Sequence, residues 1–230
     1  MKKNKKIDLD IKTKYNVKTK IEIPDKNLFM IPSYICYYAP GFSGKTLLMV
    51  NLCHKLKKYF KDGNIFAFTN SYCPTIHKMI EDRKGHLYYD FYDRYGNNVI
   101  EELLQFQKKQ KEEDPDNLEN ILLIFDDVIS SKEFENRRSI FTKLFSMGRH
   151  FQITIFLSSQ VYNMIPKSIR KMAYYNIIFK FPESELPEIL EENCSFLSKK
   201  DFERVYREAT KDKYDFLFLQ IKEQRMLEKF

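Results

Sequence analysis

Residues 39–46, APGFSGKT, constrain the fold of this chain more than any other stretch, because a strand pattern precedes them and a helix pattern follows. The preceding run FMIPSYICYYA is typical of a buried β-strand, and the following run KTLLMVNLCHKLKKYF repeats apolar residues at helical spacing. A Gly-Lys-Thr sequence at such a turn is the pattern of a phosphate-binding loop, whose backbone N–H groups point at phosphate oxygens. Ala39 stands where the pattern has glycine, and we expect its methyl group to be tolerated if φ stays negative.

The loop predicts a nucleotide ligand and gives a role to its last residues. Lys45 would reach the β- and γ-phosphates, and the Thr46 hydroxyl would bind Mg²⁺. Gly44 lets the backbone approach the ligand closely, which a Cβ atom would hinder. The residues expected to contact the nucleotide are Pro40, Gly41, Phe42, Ser43, Gly44, Lys45 and Thr46. The expected cofactors are therefore ATP and Mg²⁺.

A second element, ILLIFDDV, is a continuous apolar run that ends in two acidic residues. Such a run predicts a buried strand that delivers carboxylates to the carboxyl edge of a parallel sheet, where ligands bind in open α/β folds. Asp126 would hold Mg²⁺ through water, and Asp127 would polarise the water that attacks the γ-phosphate. Behind a phosphate-binding loop, this pair predicts an ATP hydrolase.

The stretch GRHFQITIFLSSQ predicts a third strand that ends near the same site. If this strand lies between the other two, Gln160 would contact the γ-phosphate or orient water; the plainer alternative is an amide that caps the next helix. Arg149 precedes the strand, too far from the metal site to reach its own nucleotide. It would act as an arginine finger on a neighbour's nucleotide in a ring, or form a surface salt bridge. Arg170, before the next strand, is the alternative finger.

Strand and helix patterns alternate along the rest of the chain, which predicts an α/β fold with a mostly parallel sheet and helices on both faces. Helices are expected over about 132–148, 183–192 and 199–209, and the run YDFLFLQI is expected to form an extra C-terminal strand. A chain of 230 residues suits one domain, which we place at residues 29–230.

Residues 1–28 are expected to form a separate basic arm or an edge hairpin. The net charge of the chain is +7, and its first thirty residues contain nine lysines against four acidic residues. Such an arm would contact the phosphate backbone of a nucleic acid. A solvated tail that keeps the protein soluble is the alternative.

Cysteines, histidines and apolar runs exclude several other classes. The four cysteines have no paired spacing, which predicts reduced, mostly buried thiols of an intracellular protein. The four histidines are scattered, so no structural metal site is expected. The N-terminus lacks the apolar segment of a signal peptide, and no run is long enough to predict a membrane span.

The complete set of motifs resembles one family. The loop, Asp126 with Asp127, the GRH sequence at 148–150 and Gln160 together resemble the genome-packaging ATPases of large DNA viruses and virophages. These ATPases form the poxvirus-type branch of the FtsK–HerA superfamily of P-loop NTPases. The C-terminal RVYREATKDKYDFLFLQI is also similar to that family's ending, and the resemblance covers about residues 30–225. It implies a sheet of the additional-strand (ASCE) type, with core order 5-1-4-3-2 and the Gln160 strand in its middle.

The resemblance also implies a function and partners. It implies a homo-oligomeric ring of five or six subunits that hydrolyses ATP to move double-stranded DNA into a preformed capsid. The implied partners are DNA, bound independently of sequence, and portal or vertex proteins of the capsid. The protein would act in the host cytoplasm or a viral factory, or reside in the virion, and would not be secreted. Phosphate contacts would come from KKQK at 108–111, RR at 137–138 and the arm.

Three other functions fit parts of the sequence. A small-molecule phosphotransferase, such as a nucleoside kinase, also begins with this loop, and Arg204 and Arg207 would then belong to its lid. A nucleotide-binding protein without turnover would explain Ala39 as a sign of decay. A helicase or a DNA-transfer motor of the same superfamily would keep every motif named above.

Overall fold

The structure is a computed structural model that describes residues 29–92, 95–96, 98–128, 140–194 and 197–228. Strands and helices alternate along these residues. The strands are β1 (Tyr34–Tyr38), β2 (Ile65–Thr69), β3 (His86–Tyr88), β4 (Ile121–Asp126), β5 (Ile153–Ser159), β6 (Tyr175–Phe179), β7 (Phe216–Gln220) and β8 (Arg225–Glu228). The α-helices are α1 (Lys45–Lys55), α2 (Pro74–Asp82), α3 (Val99–Glu113), α4 (Ile140–Met147), α5 (Lys167–Arg170), α6 (Leu186–Asn193) and α7 (Lys199–Ala209). The basic arm expected at residues 1–28 lies outside the described residues.

The eight strands form one sheet in the order β3-β2-β4-β5-β1-β6-β7-β8. Strands β1 to β6 are mutually parallel, and β7 and β8 add antiparallel strands at one edge. The five strands β6-β1-β5-β4-β2 have the order 5-1-4-3-2 that the resemblance implied, so the predicted fold class is confirmed. Because β5 lies between β1 and β4, the carboxyl ends of all three strands meet at one edge of the sheet.

Both faces of the sheet are buried, which explains why its strands read as continuous apolar runs. In β1, Tyr34, Cys36 and Tyr38 pack with residues of α3, α4, α6 and α7 on one face. Ile35 and Tyr37 pack with residues of α1 and α2 on the other face. Helices therefore cover both faces of the sheet, and the loops at its carboxyl edge remain accessible to a ligand.

Side-chain caps fix the starts of two helices. The Asn98 side chain accepts a hydrogen bond from the backbone N–H of Glu101 at 3.1 Å and begins α3. The Ser198 hydroxyl accepts a hydrogen bond from the backbone N–H of Asp201 at 3.1 Å and begins α7. Each cap satisfies a backbone donor that has no partner within the helix itself.

Two elements differ from the sequence prediction, and a third is only partly described. The helix expected over 132–148 is described only as α4, because residues 129–139 lie outside the described residues. The helix expected after the loop ends at Lys55, and a short 3₁₀ turn at Lys57–Tyr59 follows. Strand β8 was not predicted, although Met226 and Leu227 are buried.

All four cysteines are free; Cys36 and Cys53 are buried, and Cys73 and Cys194 are partly exposed. Among the described residues, no helix has both the length and the apolar character that crossing a bilayer requires.

Candidate functional site

The phosphate-binding loop follows β1 directly and begins as an extension of that strand. The Ala39 N–H donates a hydrogen bond to the Ser159 carbonyl at 3.0 Å, so the pairing of β1 with β5 continues for one more residue. Ala39 is completely buried and packs in the core on the α1 side of the sheet. The loop residues with positive φ are Phe42 and Gly44, and Ala39 is not among them. The methyl group of Ala39 is therefore accommodated without backbone strain, as expected.

Gly44 ends the loop and precedes the first turn of α1. Its φ is 90°, in the left-handed region that favours glycine. A Cβ atom at this position would lie 3.2 Å from the ring of Tyr214. Glycine is thus required here by the backbone conformation, and the close approach of an aromatic ring adds a second constraint.

Thr46 and Asp126 lie together, as the sequence predicted. The Thr46 Oγ1 is 3.2 Å from Asp126 Oδ2. Adjacent ligands of an octahedral Mg²⁺, each about 2.1 Å from the ion, are roughly 3.0 Å apart, so these two oxygens fit one Mg²⁺. Burial raises the pKa of the Asp126 carboxyl, and the Ser158 hydrogen bond and the charge of Lys45 offset only part of that rise. A divalent cation beside this carboxylate would stabilise its charged form.

Asp127 is the most highly connected residue of the site. Lys45, at the start of α1, forms an ion pair with Asp127 Oδ2, and Gln160 Nε2 donates to the same oxygen at 2.8 Å. Ser158 Oγ accepts the Asp127 N–H at 3.1 Å, and Asn70 Nδ2 donates to the Asp127 carbonyl at 3.0 Å. The side chains that surround Asp127 therefore come from the ends of β2 and β5 and from α1.

The backbone of Asp127 has an uncommon conformation. Its φ is 56°, although it is not a glycine. Such a conformation costs about 1–3 kcal/mol and persists only where the surrounding structure holds it. The hydrogen bonds to its N–H and carbonyl groups supply that constraint here.

Ser158 is a site residue that the sequence analysis missed. This buried hydroxyl in β5 donates to Asp126 Oδ1 at 2.7 Å and accepts the N–H of Asp127. It lies two residues before Gln160, which follows the end of β5, and both side chains contact Asp127. The pair of serines that ends this apolar run was the signal that would have identified it.

An open cleft of about 680 Å³ lies beside the loop and was also not predicted. Tyr214 and Phe42 are exposed aromatic side chains on its walls, and Leu48 and Phe179 add apolar surface. The cleft includes Gly44, so a ligand with phosphates in the loop would extend into it. Flat, largely apolar walls suit a heterocyclic base.

Arg149 lies at the amino ends of the parallel strands, opposite their carboxyl ends, in the 3₁₀ turn Gly148–Phe151 that precedes β5. Because β5 has seven residues, roughly 20 Å separates this turn from the Gln160 end of the strand. The Arg149 guanidinium lies 4.4 Å from the ring centre of Tyr174. This position agrees with the expectation that Arg149 does not reach the nucleotide of its own chain.

Arg170 is an internal structural group. It is 8% exposed, and its Nε and Nη2 atoms each lie 2.8 Å from an oxygen of Glu192. Its Nη1 donates to the Ile165 carbonyl at 2.6 Å. These bonds occupy the guanidinium within its own subunit, which favours Arg149 over Arg170 as a finger.

Arg204 and Arg207, the residues of the alternative kinase lid, lie on α7. Arg207 pairs with Glu183 and Glu203, and Arg204 lies 3.7 Å from Asp201. These ion pairs lie within α7 or connect it to Glu183, and none of them involves the phosphate-binding loop. They do not favour the arginine-rich lid of a kinase.

The strand order, the loop and the paired aspartates define a P-loop NTPase of the additional-strand type. The chain belongs to the Poxvirus A32 protein family, whose model matches residues 26–220. Family membership confirms the resemblance to viral genome-packaging ATPases. A search of curated proteins found no match.

Solved structures with the same fold include viral packaging proteins. The DNA-packaging ATPase B204 from Sulfolobus Turreted Icosahedral Virus is 20% identical, with a TM-score of 0.60 over 86% of this chain and 97% of that chain. The genome packaging NTPase B204 from Sulfolobus turreted icosahedral virus 2, solved with AMPPCP, is 19% identical, with a TM-score of 0.61 over the same shares. Its complex with ATP-gammaS is 19% identical, with a TM-score of 0.58 over 86% and 96% of the chains.

Proposed function

We propose that this chain is the ATP-hydrolysing subunit of a motor that moves double-stranded DNA into a viral capsid. The observation that carries the proposal is the meeting of Lys45, Thr46, Asp126, Asp127 and Gln160 at one sheet edge of a Poxvirus A32 family member. The B204 proteins, which are described as packaging enzymes and were solved with ATP analogues, support the same activity.

ATP binds with its phosphates in the loop formed by residues 40–46 and its base in the adjoining cleft. Lys45 exchanges its ion pair with Asp127 for contacts with the β- and γ-phosphates, which carry more negative charge. Tyr214 and Phe42 stack on the base from the walls of the cleft.

Thr46 and Asp126 would hold Mg²⁺, directly or through water. A bound ion would supply positive charge beside the phosphate oxygens. Ser158 fixes the orientation of Asp126 through its bond to the second carboxylate oxygen. This bond leaves the other oxygen of Asp126 facing Thr46.

Hydrolysis uses Asp127 and Gln160. Asp127 accepts a proton from water as the water oxygen attacks the γ-phosphorus, and the bond to the β-phosphate oxygen breaks to release ADP. Gln160, which now donates to Asp127, turns its amide to the γ-phosphate or to the attacking water.

Arg149 completes the site of a neighbouring subunit. From the opposite end of the strands it acts as an arginine finger on another subunit's nucleotide. Such action between subunits fits a ring of five or six identical subunits docked on a portal or vertex of the capsid.

DNA is held by contacts with its phosphates, independently of sequence. Of the three lysine- and arginine-rich segments, only residues 108–111 lie within the described part of the chain, on α3. Lys108 and Lys109 are exposed and make long ion pairs of 3.9 and 3.8 Å, so both can turn to a phosphate. Lys111 donates to the His150 carbonyl at 2.8 Å and connects α3 to the turn that carries Arg149.

The proposal is tested by measuring ATP hydrolysis with and without double-stranded DNA of unrelated sequences. DNA should increase the rate regardless of sequence, and Lys45→Ala should abolish hydrolysis in both conditions. An acceptor screen with nucleosides should detect no phosphoryl transfer. Phosphorylation of a nucleoside faster than ATP hydrolysis would replace the motor with a kinase.

A further inference from the structure

Asn70 connects the end of β2 to the hydrolytic site. In the pairing of β2 with β4, Thr69 lies opposite Asp126, so the next residues, Asn70 and Asp127, leave the sheet side by side. The Asn70 Nδ2 donates to the Asp127 carbonyl at 3.0 Å. No motif in the sequence includes Asn70, and the proposed mechanism gives it no role.

The partners of Asp127 fall into two groups that nucleotide binding would affect differently. Lys45 and Gln160 contact its carboxylate, and both turn to the phosphates when ATP binds. Ser158 and Asn70 contact its backbone, on the N–H and on the carbonyl, and Ser158 Oγ also lies 3.4 Å from Asp127 Oδ1. After ATP binds, the two backbone contacts remain to hold Asp127 at its strained φ of 56°.

We propose that Asn70 is a positioning residue that holds the Asp127 backbone so that its carboxylate faces the attacking water in the ATP-bound state. The inference rests on the proposed role of Asp127 in hydrolysis. Without the Asn70 donor, the carbonyl is free to rotate toward water, the backbone relaxes toward negative φ, and the carboxylate moves away from the γ-phosphate. The chemical step is slowed, whereas nucleotide binding is retained.

The local turn does not depend on the Asn70 side chain. Thr69 Oγ1 donates to the Ser71 carbonyl at 2.9 Å and fixes the turn independently. The Asn70 side chain is itself exposed, so its removal leaves no buried cavity. Substitutions at this position therefore test the contact with Asp127 rather than the folding of β2.

The experiment compares Asn70→Asp and Asn70→Ala with the wild-type chain in single-turnover and steady-state hydrolysis. Asn70→Asp keeps the shape but removes the donor, and Asn70→Ala removes the whole amide. Both should lower kcat by about tenfold, which corresponds to about 1.4 kcal/mol, the scale of one lost hydrogen bond. The dissociation constant for a fluorescent ATP analogue should change by less than about twofold, since the phosphate-binding groups are intact. Asn70→Gln, which retains a donor, should recover part of the rate.

Asn117→Ala is the matched control, because Asn117 is another exposed asparagine whose amide bonds a neighbour, Asp114 at 2.9 Å, in the turn that precedes the opposite end of β4 from the site. Asn117→Ala should leave both kcat and the dissociation constant for the ATP analogue unchanged. An unchanged kcat in Asn70→Asp and Asn70→Ala, or an equal loss of nucleotide binding, would overturn the inference. If Asp127→Asn itself retains full activity, the proposed role of Asp127 fails instead, so the two failures are distinguishable.

Discussion

Lys45 and Asp127 form an ion pair between the start of α1 and the residue after β4, in a site where the lysine side chain is 8% exposed. In the proposed mechanism Lys45 binds phosphate and Asp127 faces the attacking water, so ATP would compete with Asp127 for Lys45.

This competition predicts opposite effects on binding and turnover for Asp127→Asn. Hydrolysis should fall by about 10²–10⁴-fold, because the group that accepts the proton is lost. ATP affinity should stay equal or increase, because Lys45 no longer has a carboxylate partner to leave. Equilibrium binding and single-turnover hydrolysis measure the two effects separately. Weaker ATP binding in Asp127→Asn would show that the ion pair does not oppose the nucleotide; Lys45→Ala serves as the reference for lost binding.

Tyr214→Ala should weaken ATP binding by about tenfold, which is the scale of one aromatic stacking contact with a base. The value of kcat at saturating ATP should change little, because the proposed contact of Tyr214 is with the base rather than with the γ-phosphate. Binding of inorganic tripolyphosphate, which has no base, should be unaffected. Phe106→Ala is the control, since Phe106 is an exposed aromatic residue on α3, away from the cleft. Equal loss of ATP and tripolyphosphate binding would assign Tyr214 to the loop rather than to a base site.

Arg149 and Arg170 should respond differently to substitution by alanine. Arg149→Ala should abolish hydrolysis in a uniform assembly but leave the melting temperature nearly unchanged. Mixing Arg149→Ala with Asp127→Asn subunits should restore activity, because some interfaces then combine an intact Asp127 with a neighbour's intact Arg149. A mixture that stays as inactive as its components would contradict action between subunits.

Arg170→Ala should instead destabilise the fold by about 3 kcal/mol, because it leaves the carboxylate of Glu192 without its main partner.

Burial pushes the pKa of Glu192 upward, but hydrogen bonds from Arg170 and Lys167 outweigh it and hold that pKa below its ordinary value. A depressed folded-state pKa gives stability that is present above the unfolded-state value of about 4.3 and lost as pH falls below it. The difference in unfolding free energy between wild type and Glu192→Gln should therefore be constant from pH 8 to 6 and shrink toward pH 4. A difference that grows on acidification would contradict this assignment.

The sequence could predict which groups would bind phosphate and metal, because each belongs to a local pattern. Lys45 and Thr46 follow a glycine loop between a strand and a helix, and Asp126 ends an apolar run. The parallel arrangement of β1, β4 and β5 brings these strand ends together. The strand order itself came from the family resemblance, since alternation of elements alone does not specify which strands are neighbours.

The supporting residues could not be predicted, because their roles depend on contacts between distant segments. Asn70 reaches Asp127 only through the register that sets Thr69 opposite Asp126. Tyr214 approaches Gly44 because β7 returns antiparallel beside β6. Strand β8 was missed because four residues with charged ends do not establish an alternating pattern.

Displacement of a third strand from a DNA triplex measures the central claim most directly, because it reports movement along double-stranded DNA rather than hydrolysis alone. The assembled protein should displace the strand in the presence of ATP and Mg²⁺. It should fail to do so with AMPPCP or with Asp127→Asn subunits. Rapid ATP hydrolysis on the same DNA without displacement of the strand would contradict a DNA-moving motor.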